Sequence, residues 1–245
     1  MEKKTALITG AAGGLGKAVV KKLIAQDFVV FANDNNNDRL NELVEECGSE
    51  SIFPLCFDVS KEAEWKAAAE TISQKVDKLD VLFNNAGFFR INTIKDTTVE
   101  LWEKTMAVNT LSAFLGIKEM LPLLGEGSSV INTASIASFL GSKNRIAYAA
   151  SKGAVASLTK AAAIELAPRG IRVNSVHPAY IKTQMAEHAA QATDRTMEEM
   201  GMRIPLHNRI STAEEVAEVV CFLASEGSQF MTGAEMVVDG GQSVN

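Results

Sequence analysis

The run Thr5-Ala-Leu-Ile-Thr9 is short, apolar and β-type, and it leads directly into Gly10-Ala-Ala-Gly13-Gly14-Leu15-Gly16 and a helical pattern that continues through Gln26. Strand, glycine loop, helix is the order a dinucleotide site demands, and it commits the chain to a βαβ start. Gly10 permits the tight turn, Gly14 lets the backbone approach a pyrophosphate and Gly16 lets the helix pack close, while the helix N-terminal amides and dipole favour the anion. Taken alone, such a turn is either a phosphate loop or an ordinary tight turn. The next strand weighs the choice. Phe28-Val-Val-Phe-Ala32 ends in Asn33-Asp34, eighteen residues beyond Gly16, close to the ~20 expected for an acid that holds an adenosine ribose. Asp34 otherwise opens a turn with Asn35, Asn36 and Asn37.

The alternation then repeats. Helical patterns cover about Asn37–Cys47, Ser60–Val76, Val99–Leu124 and Tyr148–Ala167, and Thr212 starts the last helix. Strand-like runs cover Ser51–Phe57, Leu79–Phe83, Val130–Ala134 and Gly170–Pro178, with a final strand in the Thr232–Gly241 tail. Residues 184 to about 204 are polar and Met-rich without strong periodicity. A chain of 245 residues, 47% hydrophobic, buries one large core, so a single domain is expected over 1–245. The net charge of −6, with scattered lysines, excludes the concentrated basic face of a nucleic-acid binder. Cys47, Cys56 and Cys221 form no CxxC and cannot all pair, which fits a reducing compartment. The first residues read as neither signal peptide nor membrane span. A cytoplasmic protein with no nucleic-acid or membrane partner is expected.

Tyr148 and Lys152 stand four apart in an alanine-rich run, so on a helix they leave the same face as neighbours. An adjacent cation favours the ionised phenol and lowers its pKa toward neutrality. Ser135 follows the apolar run Val130–Ala134, which puts its hydroxyl at the carboxyl end of a buried strand, the edge where sheet ligands bind. A Tyr and a Lys at this spacing are by themselves an ordinary surface pattern. Three histidines, His177, His188 and His207, share no ligand spacing, and no metal site is expected.

Ser135, Tyr148 thirteen positions on, Lys152 and the stretch Thr9-Gly10-x-x-x-Gly14-x-Gly16 together resemble the short-chain dehydrogenase/reductase family, and the match extends over nearly the whole chain. The resemblance implies a doubly wound α/β Rossmann fold of about seven parallel strands in the order 3-2-1-4-5-6-7, with helices on both faces. It also implies a catalytic set of Asn109, Ser135, Tyr148 and Lys152, with Asn109 at a helix irregularity that lets it hold a proton-relaying water. Cofactor contacts follow at Gly10, Gly13, Gly14, Leu15, Gly16, Asp34, Asp58, Val59, Asn85, Ala86, Gly87, Tyr148, Lys152, Pro178, Ile181 and Thr183. From the residues alone, Asp58 and Ser60 also suit a cap for the next helix. Asn84 and Asn85 suit a mainly structural task, satisfying backbone groups of neighbouring strands. Ala179 stands where the family usually has glycine.

The implied activity is reversible oxidation of a secondary alcohol to a ketone by a homotetramer, with a substrate lid at about 184–210. Asp34 favours NAD, because a carboxylate repels a 2′-phosphate and neither Gly13 nor Asn35 can neutralise one. Lys17 and Arg39 lie too far along to rescue NADP. A 3-oxoacyl carrier-protein reductase and a non-catalytic dinucleotide sensor are the rival readings, the latter opposed by the complete catalytic set. Met185, Met197, Met200 and Met202 suit an irregular apolar ligand or an ordinary core equally. Phe88, Phe89, Phe139 and Leu140 are candidate pocket walls. Lys143 and Arg145 suit either an acidic substrate or, more ordinarily for loop charges, solvent.

Overall fold

Alternating side chains along β1 point to two different cores, and the fold is built outward from that strand. In the computed structural model, which describes residues 3–48 and 50–245, β1 (Thr5–Thr9) is buried along its whole length. Ala6 and Ile8 face one core cluster and Leu7 faces the other, as the period of two requires. Helices α1 (Gly14–Ala25) and α2 (Asn37–Cys47) cover the first face, with β2 (Val29–Asp34) between them. After β3 (Ile52–Cys56), α3 (Glu62–Ser73) and β4 (Val81–Asn84), the chain forms a long helix in three parts: α4 (Val99–Met106), a π turn (Ala107–Leu111) and α5 (Ser112–Met120). Trp65 and Ile72 of α3 and Leu115 and Met120 of α5 fill the second face.

β5 (Ser129–Thr133), α6 (Ile146–Leu166) and β6 (Arg172–Pro178) follow, then short helices α7 (Gln184–Ala192) and α8 (Met197–Gly201), α9 (Ala213–Ala224) and β7 (Glu235–Val238). All strand pairs are parallel, and the order is β3-β2-β1-β4-β5-β6-β7, as the sequence led one to expect. β1, β4 and β6 are buried throughout, whereas edge strands β3 and β7 alternate, because only central strands of a parallel sheet are covered on both faces. The chain leaves β1 toward β2 and later returns to β4 on the other side. That reversal opens the crevice at the carboxyl ends where α/β sheets hold ligands.

Helices α7 and α8 were not legible in the periodicity. Thr196 nonetheless forms a capping box with Glu199 at the start of α8, and Thr212 does the same with Glu215 at α9, a signature written in the sequence as Thr-x-x-Glu. Among the described residues no helix is long and apolar enough to cross a membrane.

One close approach carries a stability prediction. Gly116 in α5 has no room for a side chain: an added Cβ would overlap Asn84 Oδ1 and lie 3.0 Å from Trp65 Cη2. Alanine normally stabilises an exposed helix by up to about 1 kcal/mol over glycine, but overpacking a core costs about 1–3 kcal/mol. Gly116→Ala should therefore lower the urea midpoint, and a raised midpoint would show that Trp65 yields without cost.

Candidate active site

The glycine turn is held by the loop after β4. Thr9 Oγ1 accepts hydrogen bonds from the amides of Asn85 (2.9 Å) and Ala86 (3.0 Å). Asn85 Nδ2 returns bonds to the carbonyls of Thr9 (3.1 Å) and Gly10 (3.3 Å). Gly10 has φ +60, and a Cβ there would lie 3.0 Å from Ala86 Cα; both the turn and its closeness to Ala86 demand glycine. Thr9 opens the motif quoted above, and its structural role is seen only in these bonds. Asn84 donates to Asn132 Oδ1 (2.9 Å), and Asn132 donates to Thr159 of α6 (2.9 Å). Asn84 and Asn85 thus tie neighbouring strands and the glycine turn together, and Asn132, which gave no sequence signal, extends the network to α6.

At the start of α1, Gly13 is the N-cap and offers no side-chain acceptor, and the first turn contains no acid. By contrast, Asn36, Thr98, Thr196 and Thr212 cap α2, α4, α8 and α9. The amides of Gly14, Leu15 and Gly16 therefore lack a cap at the positive end of the helix, which suits a diphosphate. A Cβ on Gly16 would strike the Gly10 carbonyl, and one on Gly14 would strike Thr183 beyond β6. The cradle is made of bare backbone and fits a diphosphate, with Thr183 packed close against it.

Asp34 ends β2, where Oδ2 accepts from the Ala12 amide (3.3 Å) and Oδ1 from Asn36 (3.1 Å). Its carboxylate thus opens the asparagine turn, as one reading had it, and lies beside the glycine turn. Asp58 Oδ1 accepts from the amide and hydroxyl of Ser60 (2.9 and 2.7 Å). It closes a turn just ahead of α3, whose N-cap is Lys61. Val59 is buried, and its carbonyl accepts from Trp65 Nε1 (2.8 Å). At the end of β6, Pro178 is followed by Ala179, which needs no left-handed backbone, so the missing glycine leaves the turn intact. Ile181 bridges to Ser211, and Thr183 Oγ1 donates to the Ile181 carbonyl (3.2 Å). Gly87 lies near Asn109 and Lys152: a Cβ on it would stand 3.7 Å from Asn109 Oδ1 and 3.9 Å from Lys152 Nζ.

Ser135 caps a short 3₁₀ turn after β5, with Oγ accepting from the Ala137 amide at 3.2 Å. Tyr148 and Lys152 leave one face of α6, and Lys152 Nζ lies 5.8 Å from the phenol ring centroid. Lys152 is 3% exposed and donates to the Thr133 carbonyl at 2.6 Å. Burial pulls its pKa down to about 8. Tyr148 differs from the expectation. Its pKa is raised, not lowered: burial outweighs the Ser135 hydrogen bond and the charge of Arg145, and the ammonium of Lys152 is directed at Thr133. Phe89 closes one side, edge to face with Tyr148 at 4.9 Å and 87°.

Asn109 lies in the π turn, 2% exposed. Oδ1 accepts from the Phe88 amide (2.6 Å), while Nδ2 donates to the Phe88 carbonyl (3.0 Å) and Ser151 Oγ (2.9 Å). The helix irregularity expected there is present; Ser151, which anchors it, gave no sequence signal. His177 is fully buried between serines, with Nδ1 2.9 Å from Ser138 Oγ and Nε2 2.8 Å from Ser175 Oγ. Burial lowers its pKa, so it stays neutral. Among the described residues no three His, Cys, Asp or Glu side chains gather as metal ligands.

Two sequence readings of the pocket wall need correction. Arg145 is not a solvated loop charge: its guanidinium lies between Phe89 and Tyr180, 5.4 and 5.3 Å from their ring centroids, and donates to the Tyr180 hydroxyl. Lys143, by contrast, is exposed. The four methionines also divide. Met200 is buried and Met197 packs against its cluster, whereas Met185 and Met202 face solvent.

A bare-backbone cradle for a diphosphate that leads along one sheet edge to a phenol beside a buried ammonium defines a dinucleotide-dependent oxidoreductase. Comparison with known proteins specifies the class further. A family model described as enoyl-(acyl carrier protein) reductase matches residues 10–243. Trans-4-hydroxycyclohexanecarboxylate dehydrogenase of Sinomonas cyclohexanicum is 37% identical, covering 98% of this chain and 93% of its own. Cyclopentanol dehydrogenase of a Comamonas strain is 36% identical over 99% and 98%. Among solved structures, a glucose/ribitol dehydrogenase of the short-chain type from Brucella melitensis superposes with a TM-score of 0.93 at 30% identity, covering 99% of this chain and 97% of its own. The chain belongs to the short-chain dehydrogenase/reductase family, whose dehydrogenases use a nicotinamide dinucleotide.

Proposed function

We propose that the protein interconverts a ring-borne secondary alcohol and its ketone, with NAD as coenzyme. The observation that carries this reading is Lys152, an almost fully buried ammonium whose donor contact is the Thr133 carbonyl, beside Tyr148 and at the strand end that carries Ser135. A buried ionisable group with a shifted pKa at a sheet's ligand-binding edge points to function. Several of its relatives are named as cyclopentanol, cyclohexanol or hydroxysteroid dehydrogenases, which is why the alcohol is placed on a ring.

A nicotinamide held in this cradle would supply the acceptor for the carbinol hydride. Tyr148, as the phenolate, takes the hydroxyl proton as the C=O bond forms, and Ser135 donates to the oxygen. Lys152 would hold the coenzyme ribose beside the phenol. With its amide committed to Phe88 and Ser151, Asn109 keeps the π turn open, so that the main chain there supports a water relaying protons to Lys152. The glycine turn, Asp34, Asp58, Val59, Asn85, Ala86, Gly87, Pro178, Ile181 and Thr183 hold the dinucleotide. The chain acts as one domain, with 184–210 as lid. Its inner face, through Ala189, Met200, Ile204 and Ile210, packs on Phe89 and Tyr180. Free cysteines fit the cytoplasm. Exposed Phe114, Ile164 and Val237 fit burial in a homotetramer.

NAD is favoured over NADP because each nearby basic side chain is engaged elsewhere. Lys17 pairs with Glu46 at 2.5 Å, and Arg39 donates to Gln184 at 2.9 Å. Like charges brought together cost several kcal/mol, so Asp34→Ala should reduce the NAD-over-NADP ratio of kcat/KM about 100-fold. Steady-state rates with both coenzymes check it; a wild type that prefers NADP, or an unchanged ratio in the variant, refutes the assignment.

A further inference from the structure

Arg145 is the N-cap residue of α6, three positions before Tyr148, so one helical turn, about 5 Å, separates them along the axis. Its backbone is pinned, because Asn92 pairs with Arg145 as an isolated parallel bridge and the Asn92 amide donates to the Asn144 carbonyl at 2.8 Å. The side chain turns inward. Phe89, against one side of the guanidinium, is the same ring that meets Tyr148 edge to face. Tyr180, against another, immediately follows the end of β6 and packs with the lid cluster. The guanidinium therefore lies inside the walls shared by the phenol and the lid.

Its hydrogen bonding is incomplete. Nη2 donates to the Tyr180 hydroxyl, but Nε is buried and meets no acceptor of the chain. Among the described residues no carboxylate lies within 4.0 Å of this cation. Arginine stays charged at any physiological pH, and a buried donor left without a partner carries a desolvation cost. A neutral ring alcohol would leave that cost in place. Nε and Nη2 form the edge of the fork that matches a carboxylate. The Tyr180 oxygen, which accepts from Nη2, keeps its own O–H to donate to the same group.

We propose that Arg145, with the Tyr180 hydroxyl, anchors a carboxylate on the substrate, so that the preferred substrate is a cyclic hydroxy acid rather than a neutral alcohol. The proposal rests on the secondary-alcohol reading above and specifies its substrate class. With the carboxylate on Arg145, a ring spans the interval to Tyr148, and the carbinol hydroxyl is delivered to the phenol and Ser135. Specificity of this kind is steep, because a site built to bond a polar group rejects the analogue that lacks it.

The test compares kcat/KM with NAD for trans-4-hydroxycyclohexanecarboxylate and for cyclohexanol. The wild type should prefer the acid by at least about 100-fold, and Arg145→Met should collapse that ratio by about 100-fold, since truncating one partner of a buried charge pair has effects of this order. Arg145→Lys, which keeps the charge without the fork, should lose about tenfold, and Tyr180→Phe a smaller factor. A role confined to packing or to positioning Tyr148 would depress both substrates equally and leave the ratio unmoved, which overturns the proposal, as does a wild type that prefers cyclohexanol. Calorimetric binding of cyclohexanecarboxylate and its neutral amide to the enzyme–NADH complex supplies a readout without turnover. Tighter binding of the acid, lost in Arg145→Met, supports the anchor even where neither alcohol is oxidised, an outcome that would instead sink the secondary-alcohol reading. Equal binding of acid and amide overturns the anchor.

Discussion

Tyr148→Phe is expected to lower kcat for alcohol oxidation about 10³-fold while NADH affinity stays within about twofold. The substitution removes one hydroxyl and little volume, and the ring keeps its edge contact with Phe89 at 4.9 Å. A positioned proton carrier contributes about 10²–10⁴-fold, and the neighbourhood offers no substitute: His177 has both ring nitrogens engaged by serines, and Lys152 is occupied at Thr133. The wild-type pH profile provides a second check. Burial holds the Tyr148 pKa above its ordinary value, so the phenolate is scarce at neutral pH and oxidation should speed up as pH rises. In the variant that dependence should flatten. Turnover comparable to wild type, with the alkaline rise intact, would assign the proton to another group.

Lys152→Met should abolish activity and yet make the protein more stable at neutral pH. Burial depresses the folded-state pKa of Lys152 from 10.5 to about 8, which corresponds to roughly 3 kcal/mol against folding while the group is charged in both states. That penalty is fully present below about pH 8 and fades as pH rises toward 10.5, where the unfolded chain also loses its proton. Methionine removes the penalty and forfeits the bond to the Thr133 carbonyl, worth about 1 kcal/mol. A net gain of about 2 kcal/mol raises Tm by about 4–8 °C in a chain of this size. Melting curves for both proteins at pH 7 and pH 10 read the effect, and the gap should narrow at the higher pH. A variant no more stable than wild type at pH 7 would show that the ammonium is compensated by its surroundings. Fluorescence titration should show NADH binding weakened at least tenfold, a loss that tests the ribose contact; normal affinity would remove Lys152 from the coenzyme site.

Asp34 and Arg145 show how differently the site could be read in advance. Asp34 follows a short apolar run at a fixed distance from a glycine turn, so its place at the sheet's edge follows from strand length and βαβ geometry, and its carboxylate is found beside Ala12. The placement of Ser135 at a strand end and of Tyr148 and Lys152 on one helix face was legible for the same reason, as local properties, while their roles came only with the family resemblance. Arg145 sits in a loop where an arginine ordinarily meets water. Its burial depends on Phe89, Tyr180 and the lid, which come from segments 35 to 65 residues distant in sequence or joined only through the sheet. The upward shift of the Tyr148 pKa has the same origin, since spacing reveals a neighbouring cation but not how deeply both groups are buried.

The alternation of strands and helices and the glycine turn were legible in the sequence alone, because a period of two, a period of 3.6 and a residue without Cβ act through near neighbours, whereas the strand order was implied by the family resemblance and is found in the sheet. Three features were decided only in the tertiary structure. The π turn at Asn109 exists because Phe88 and Ser151, 21 residues before and 42 after, bond the same amide. Helices α7 and α8 owe their place to burial of Ala189 and Met200 against Phe89 and Tyr180, which no local period announces. The unmatched Nε of Arg145 is a property of desolvation, and desolvation is set by what the folded chain excludes from a point in space, a quantity to which the whole fold contributes.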